Sequence, residues 1–205
     1  MFGRWFKGTS NAQPGSISPG LAVYAVGDIH GRLDLLEDLL RRIEDDAGRH
    51  SSDTERTLIF LGDYIDRGPS SRGVVDRLLD DPLAGFATVR LMGNHEEALL
   101  SFLDSISDGL DWLTFGGLET LLSYGVPLRT IPSSSQQVVG LRNALAEAVP
   151  KNHLDFFRQC TLRHSVGDYV FVHAGVRPGV ALERQTPADL MWIRDDFLRV
   201  RIPMP

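Results

Sequence analysis

Cysteine, lysine and long apolar runs are what this chain has little of. Its one cysteine, Cys160, excludes an internal disulfide framework and reads as a buried thiol. Lysine occurs only at Lys7 and Lys151; the remaining cations are arginines, which genomic base composition explains more simply than function does. Acidic residues outnumber basic ones by 27 to 21, and the resulting net charge of -6 argues against nucleic acid as a partner. Binding a phosphate backbone needs the opposite sign. No apolar run approaches the roughly 18 residues of a membrane span. The opening MFGRWFKG lacks the apolar stretch of a secretory signal, so the expected compartment is the cytoplasm. With 42% hydrophobic residues over 205 positions, there is enough for one full-sized core.

Residues 1–20 contain GTSNAQPGSISPG, the composition of a linker, and read as a disordered tail ahead of one domain over 21–205. After Gly20 the pattern becomes regular. LAVYAV (21–26), TLIFL (57–61) and ATVRLM (87–92) are short apolar runs, as strands are. Between them, Leu36, Leu39, Leu40 and Ile43, then Val74, Val75, Leu78 and Leu79, recur at helical spacing. Strand–helix–strand–helix–strand predicts an α/β fold on a largely parallel sheet. Residues 97–159 read as a helical insert, with helices around 117–123, 136–148 and 151–158. TLRHS and YVFV (169–172), separated by Gly167-Asp168, read as a hairpin leading into His173-Ala174-Gly175. MWIRDDFL (191–198) reads as a short amphipathic helix.

Four apolar runs end in polar clusters: GDIHG (27–31), GDYIDRG (62–68), GNHE (93–96) and HAG (173–175). Ligands bind at the carboxyl ends of the strands in open α/β sheets, and parallel strands bring the first three clusters to one edge. The side chains delivered are Asp28, His30, Asp63, Asn94 and His173. Carboxylate, amide and imidazole donors suit Mn2+, Fe or Zn2+ better than Ca2+ or a thiolate site. Asp28 and His30 can reach one ion, Asp63 can bridge two through its two oxygens, and Asn94 and His173 can serve the second. Two ions about 3.5–4 Å apart can hold a hydroxide and neutralise an in-line phosphoryl transfer.

In order and spacing these motifs resemble the phosphoprotein phosphatase family of calcineurin-like metallophosphoesterases, over roughly 21–198. The resemblance implies a four-layer αββα fold and two divalent ions, usually Mn2+, on the five residues just named. It also implies His95 as the general acid protonating the leaving oxygen, with Asp66 orienting its imidazole. A carboxylate partner helps an imidazole keep a proton to give. Arg67 would grip the phosphate as a planar fork, and Arg194 would be a second phosphate-binding arginine. Trp112 and residues 115–125 read as part of the insert lying over the site; relatives often carry Trp followed by Asn-Gly-Gly, and here Phe115 stands at the Asn position. Outside these residues, Glu96 and Glu97 read as acids favouring a helix N-terminus. His50, His153 and His164 read as surface or hairpin residues.

The implied activity is hydrolysis of phosphomonoesters by a metal-bridged hydroxide, on phosphoserine or phosphothreonine of proteins or on small phosphoesters. Symmetrical hydrolysis of dinucleoside tetraphosphates is the alternative on the same core. One feature of the family is missing. Its second ion normally takes a further His from a Gly-His-Thr stretch, yet no histidine follows His173. The expectation is therefore a C-terminal truncation without the last strands of the second sheet. The second metal site would then be weakly occupied, and the product could be a weak metal- and phosphate-binding module.

Overall fold

The computed structural model describes residues 15–105, 109–128, 130, 132 and 134–200. β1 (Leu21–Val26) coincides with the first apolar run, while β2 (Glu55–Phe60) starts two residues before the second. β3 (Ala87–Arg90) ends before Leu91, whose N–H still donates to Phe60 O at 2.9 Å and which also forms an isolated bridge to Thr161. The sheet runs β1-β2-β3, all parallel, with Val26 opposite Phe60 and Phe60 opposite Arg90 at the carboxyl edge. All three chains therefore leave the sheet at one level. In β2, Leu58, Ile59 and Phe60 are wholly buried, each worth roughly 1.5–3 kcal/mol on burial.

α1 (Leu33–Ala47) buries Leu36, Leu40 and Ile43, but Leu39, expected on the same face, stays exposed. α2 (Ser71–Leu79) buries Val74, Val75 and Leu78. The expected insert is helical where described: α3 (Asn94–Asp104), α4 (Gly109–Trp112), a π-helical turn (Leu113–Gly117), α5 (Leu118–Ser123), α6 (Ser135–Ala148) and α7 (Lys151–Gln159). A buried polar contact joins this insert to α2. His153 accepts or donates at both nitrogens, to the Tyr124 hydroxyl at 2.9 Å and to Asp76 Oδ1 at 3.0 Å. His153 is thus not a surface residue, because the insert folds its ring onto a helix far back in the chain. Burial, opposed by Asp76, lowers its pKa.

β4 (Arg163–Val166) and β5 (Tyr169–Val172) form the expected antiparallel hairpin. Residues 1–14 of the expected tail lie outside the described residues, but its end is tied down. Ser16 N–H and Oγ both donate to Asp168 Oδ2 at 3.0 Å, and the Tyr169 hydroxyl donates to Gly15 O at 2.7 Å. These bonds cross 152 or more positions and leave no trace in composition. The helix expected at 191–198 is two: α8 (Pro187–Trp192), opened by a Thr186–Asp189 capping box, and α9 (Asp195–Leu198). The break buries Ile193 and leaves Arg194 exposed. Among the described residues, no helix is long and apolar enough to cross a membrane.

Candidate active site

The loops that follow β1, β2 and β3 are bonded to one another before any side-chain chemistry begins. Ile29 and His30 both donate backbone N–H to Asp63 O, at 2.9 and 2.8 Å, and Gly31 donates to Tyr64 O at 2.8 Å. Glu96, wholly buried, accepts four backbone hydrogens. Its Oε2 takes Asp63 and Gly93 at 2.8 and 3.0 Å, and its Oε1 takes Tyr64 and Ile65 at 2.8 and 3.3 Å. Glu96 is therefore a staple between the β2 and β3 loops, not only an acid at a helix start. Burial, then the charge of Asp63, raise its pKa, while these amide bonds oppose the shift. Its neighbour Glu97 instead accepts the Trp192 indole N–H at 2.6 Å.

Gly93 shows how close the loops lie: a Cβ there would stand 2.2 Å from Asp63 Oδ1 and 2.3 Å from Asp63 N. Among the described residues, the non-glycine residues with positive φ are His30, Asp63, Asp66 and Arg67, at 46°, 53°, 73° and 66°. Left-handed backbone is sparsely populated by side-chain-bearing residues, and here it gathers at one site.

Two donor clusters meet at Asp63. His30, Asp63 and His95 offer ligand atoms within 4.8 Å of one another, as do Asp28, Asp63 and His173. Asp63 Oδ2 lies 3.6 Å from His30 Nε2, and Oδ1 lies 3.6 Å from His173 Nε2. Each Asp63 oxygen therefore faces one cluster, as a bridging carboxylate requires. Asp28, expected to share an ion with His30, lies within the 4.8 Å reach of Asp63 and His173. The left-handed turn at His30 carries that ring toward the β2 loop. Asn94 Oδ1 lies 3.0 Å from His173 Nε2.

The donor set fits divalent cations. His30 Nδ1 is paired with Ile65 O and His173 Nδ1 with Leu61 O, both at 2.8 Å, so each Nδ1 carries the hydrogen and each Nε2 lone pair faces Asp63. This orientation by a carbonyl behind the ring is usual for metal-ligating histidines.

His95, itself a member of the first cluster, is buried, with Nδ1 2.7 Å from Asp66 Oδ2 and Nε2 3.9 Å from Asp63 Oδ2. Asp66 is wholly buried and also accepts Trp112 Nε1–H at 2.8 Å and the Thr120 hydroxyl at 2.6 Å. Arg67 spreads its fork over both imidazoles, 3.0 Å from His30 Nε2 and 3.1 Å from His95 Nε2. Arg194 reaches the same site from α9, with Nη2 3.4 Å from Asn94 Oδ1. It does not pair with Asp195 or Asp196; Asp195 instead binds Arg199. Every residue proposed from sequence is thus brought to this edge. The sequence marks Glu96 only as an acid at a helix start, and it places Trp112 and residues 115–125 over the site without marking the bonds of Trp112 and Thr120 to Asp66. Cys160 donates to Phe156 O at 3.4 Å, and burial pushes its thiol well above the ordinary range.

Residues 21–202 match the model of the calcineurin-like phosphoesterases. A symmetrical bis(5'-nucleosyl)-tetraphosphatase of Dechloromonas aromatica is 30% identical over 158 residues, 77% of this chain and 45% of that protein. Serine/threonine-protein phosphatase 2 of Escherichia coli is 39% identical over 95 residues, 46% of this chain and 38% of that protein. The chain spans less than half the length of these curated relatives. A crystal structure provisionally assigned as a diadenosine tetraphosphatase superposes with a TM-score of 0.50 at 24% identity, over 83% of this chain and 61% of that one. That likeness bears on the fold.

Proposed function

The chain belongs to the calcineurin-like phosphoesterase family, and on that premise we propose a metal-dependent phosphatase that hydrolyses phosphomonoesters without a phosphoenzyme. Phosphoserine and phosphothreonine of proteins are the substrate class. The observation that carries this reading is the buried His95–Asp66 pair at 2.7 Å, whose imidazole faces a carboxylate shared by two donor clusters.

In this reading Asp28, His30, Asp63, Asn94 and His173 hold two divalent cations, manganese by preference. When bound, such ions supply Lewis acidity to the phosphoryl oxygens and an acidified water. The chain's own residues do the rest. Arg67 presents a planar fork matched to two phosphate oxygens, and Arg194 adds a second guanidinium beside Asn94. Both arginines are exposed residues that a phosphate can meet. Asp66 accepts the Nδ1 hydrogen of His95, so Nε2 is the nitrogen that delivers a proton to the departing oxygen. No side-chain nucleophile is assigned, and the raised thiol of Cys160 agrees with that.

Symmetrical hydrolysis of dinucleoside tetraphosphates is the second reading. It is favoured by the relative of that name matching 77% of this chain, whereas the protein phosphatase matches 46%. Turnover of a phosphoserine peptide and of diadenosine tetraphosphate, each with Mn2+, separates the two. Faster cleavage of the dinucleotide would replace the first reading with the second. Absence of metal-dependent turnover on both, or turnover unchanged by His95→Asn, would end the phosphatase assignment.

A further inference from the structure

We infer that the helical insert sets the geometry of the proton-donating pair, with Trp112 and Thr120 as positioning residues that fix the Asp66 carboxylate for His95. The inference rests on the reading of His95 as the acid for the leaving oxygen.

Three donors converge on one wholly buried carboxylate. Thr120 Oγ1 lies 2.6 Å from Oδ1, and Oδ2 is shared by Trp112 Nε1 at 2.8 Å and His95 Nδ1 at 2.7 Å. Hydrogen counting makes this arrangement directional. A carboxylate oxygen only accepts, so Trp112 Nε1 and His95 Nδ1 each supply the hydrogen in their bond to Oδ2. Thr120 has one hydroxyl hydrogen, and the short bond to Oδ1 uses it. Ser71 Oγ, 3.0 Å from Thr120 Oγ1, must then donate toward Thr120. The Asp66 backbone N–H is held by the same two hydroxyls, at 2.9 Å from Thr120 and 3.1 Å from Ser71. One threonine therefore clamps both the backbone and the side chain of Asp66, a residue whose left-handed φ of 73° is not a resting conformation.

The insert also grips the next residue. Arg67 N–H donates to Gly116 O at 3.0 Å, and a Cβ on Gly116 would lie 2.6 Å from Arg67 Cγ. Trp112 stacks at 4.8 Å on Phe102 of α3, the helix that carries His95. Residues 112–120 thus bond to Asp66 and Arg67 while packing on the helix that presents their partner. A shift of this segment would turn the Asp66 carboxylate and misaim His95. The hydrogen bonds of this segment to the site run to Asp66 and Arg67, and none of them reaches the side chains of Asp63, His30 or His173.

The test uses the full chain, Mn2+ and two esters that differ in leaving group. Phenyl phosphate needs its leaving oxygen protonated, whereas 2,4-dinitrophenyl phosphate does not. Thr120→Val should lower kcat on phenyl phosphate about 10- to 100-fold, part of the span that general acid catalysis supplies. It should change kcat on the dinitrophenyl ester less than about threefold, and Thr120→Ser should restore both. Trp112→Phe should show the same split more weakly. In the metal-free protein, the Nδ1 proton of His95 seen by NMR should persist in wild type and Thr120→Ser and shift or exchange in Thr120→Val.

An equal fall on both esters in Thr120→Val, with the Nδ1 proton unmoved, would reduce Thr120 to a packing residue and overturn the inference. Failure of Thr120→Val to fold would transfer the same criterion to Trp112→Phe. His95→Asn is the control. If His95→Asn shows no leaving-group split, the acid assignment of His95 is what has failed.

Discussion

Glu96 and Asp63 are joined across two loops: Glu96 Oε2 takes the Asp63 amide hydrogen at 2.8 Å, and Asp63 Oδ1 takes the amide hydrogen of His95, the residue before Glu96, at 3.1 Å. The second bond caps the start of α3, and the first caps the turn after β2. Two acids lie close together as a result. Four amide dipoles on Glu96 oppose that cost without cancelling it, since burial and the charge of Asp63 still raise its pKa.

This arrangement predicts an unusual result for a conservative change. Glu96→Gln replaces one acceptor oxygen with an amide nitrogen aimed at two backbone N–H groups. It should destabilise by about 2–4 kcal/mol, close to the effect of Glu96→Ala. A residue serving only the helix dipole would lose about 0.3–1 kcal/mol. Urea denaturation of the three proteins decides, and a Glu96→Gln loss under about 1 kcal/mol would refute the staple.

Asp63 belongs to both donor clusters, whereas His173 belongs to one. Calorimetric titration with Mn2+ should show Asp63→Asn weakening all binding by more than the roughly 10–100-fold seen for outer-sphere partners. His173→Ala should weaken one class of site and spare the other. Two equal losses in His173→Ala would contradict separate clusters.

Much of this site could be read from residue order alone, for a physical reason. The Gly-Asp and Gly-Asn turns are local, and a parallel sheet brings the turns at its strand ends together without further instruction. What escaped has partners remote in sequence. Trp112 and Thr120 meet Asp66 across 46 and 54 positions, and His153 meets Asp76 across 77. Nothing local marks Asp66 as the partner of Trp112 and Thr120, or His153 as more than a surface imidazole. The same holds for the short helices. The capping box at Thr186 was open to inspection, but the break at Ile193-Arg194 follows from where Ile193 finds core, not from propensity.

His153 makes stability depend on pH in a stated window. Its folded pKa is held below the ordinary value near 6.5, by burial first. Above 6.5 both folded and unfolded states are neutral there, and its contribution is fully present. As pH falls, the unfolded chain takes the proton first, so stability declines toward the folded pKa. Tyr124, Asp76 and Arg72 are the polar groups around the ring. Urea midpoints at pH 7.5 and 5.5 should drop less steeply in His153→Gln than in wild type. An identical slope would exclude His153 as a source.

Arg194 should act on binding more than on turnover. Arg194→Ala should raise KM for a phosphomonoester about tenfold, the loss of one charge-assisted bond, and leave kcat within about threefold. Arg194→Lys should recover part of it, since a point charge replaces the fork only partly. An unchanged KM with a lowered Tm would make Arg194 a helix-end residue.

The left-handed backbone of His30, Asp63, Asp66 and Arg67 has a consequence for transplantation. Each such residue sits uphill by an amount of order 1 kcal/mol that its own loop cannot repay. The balance comes from Glu96 on one side and from residues 112–120 on the other. Copying GDIHG, GDYIDRG and GNHE onto the strand ends of a foreign sheet would therefore carry the ligands without their aim. A graft that also brought residues 112–120 and a sheet spacing that Glu96 can span would carry both.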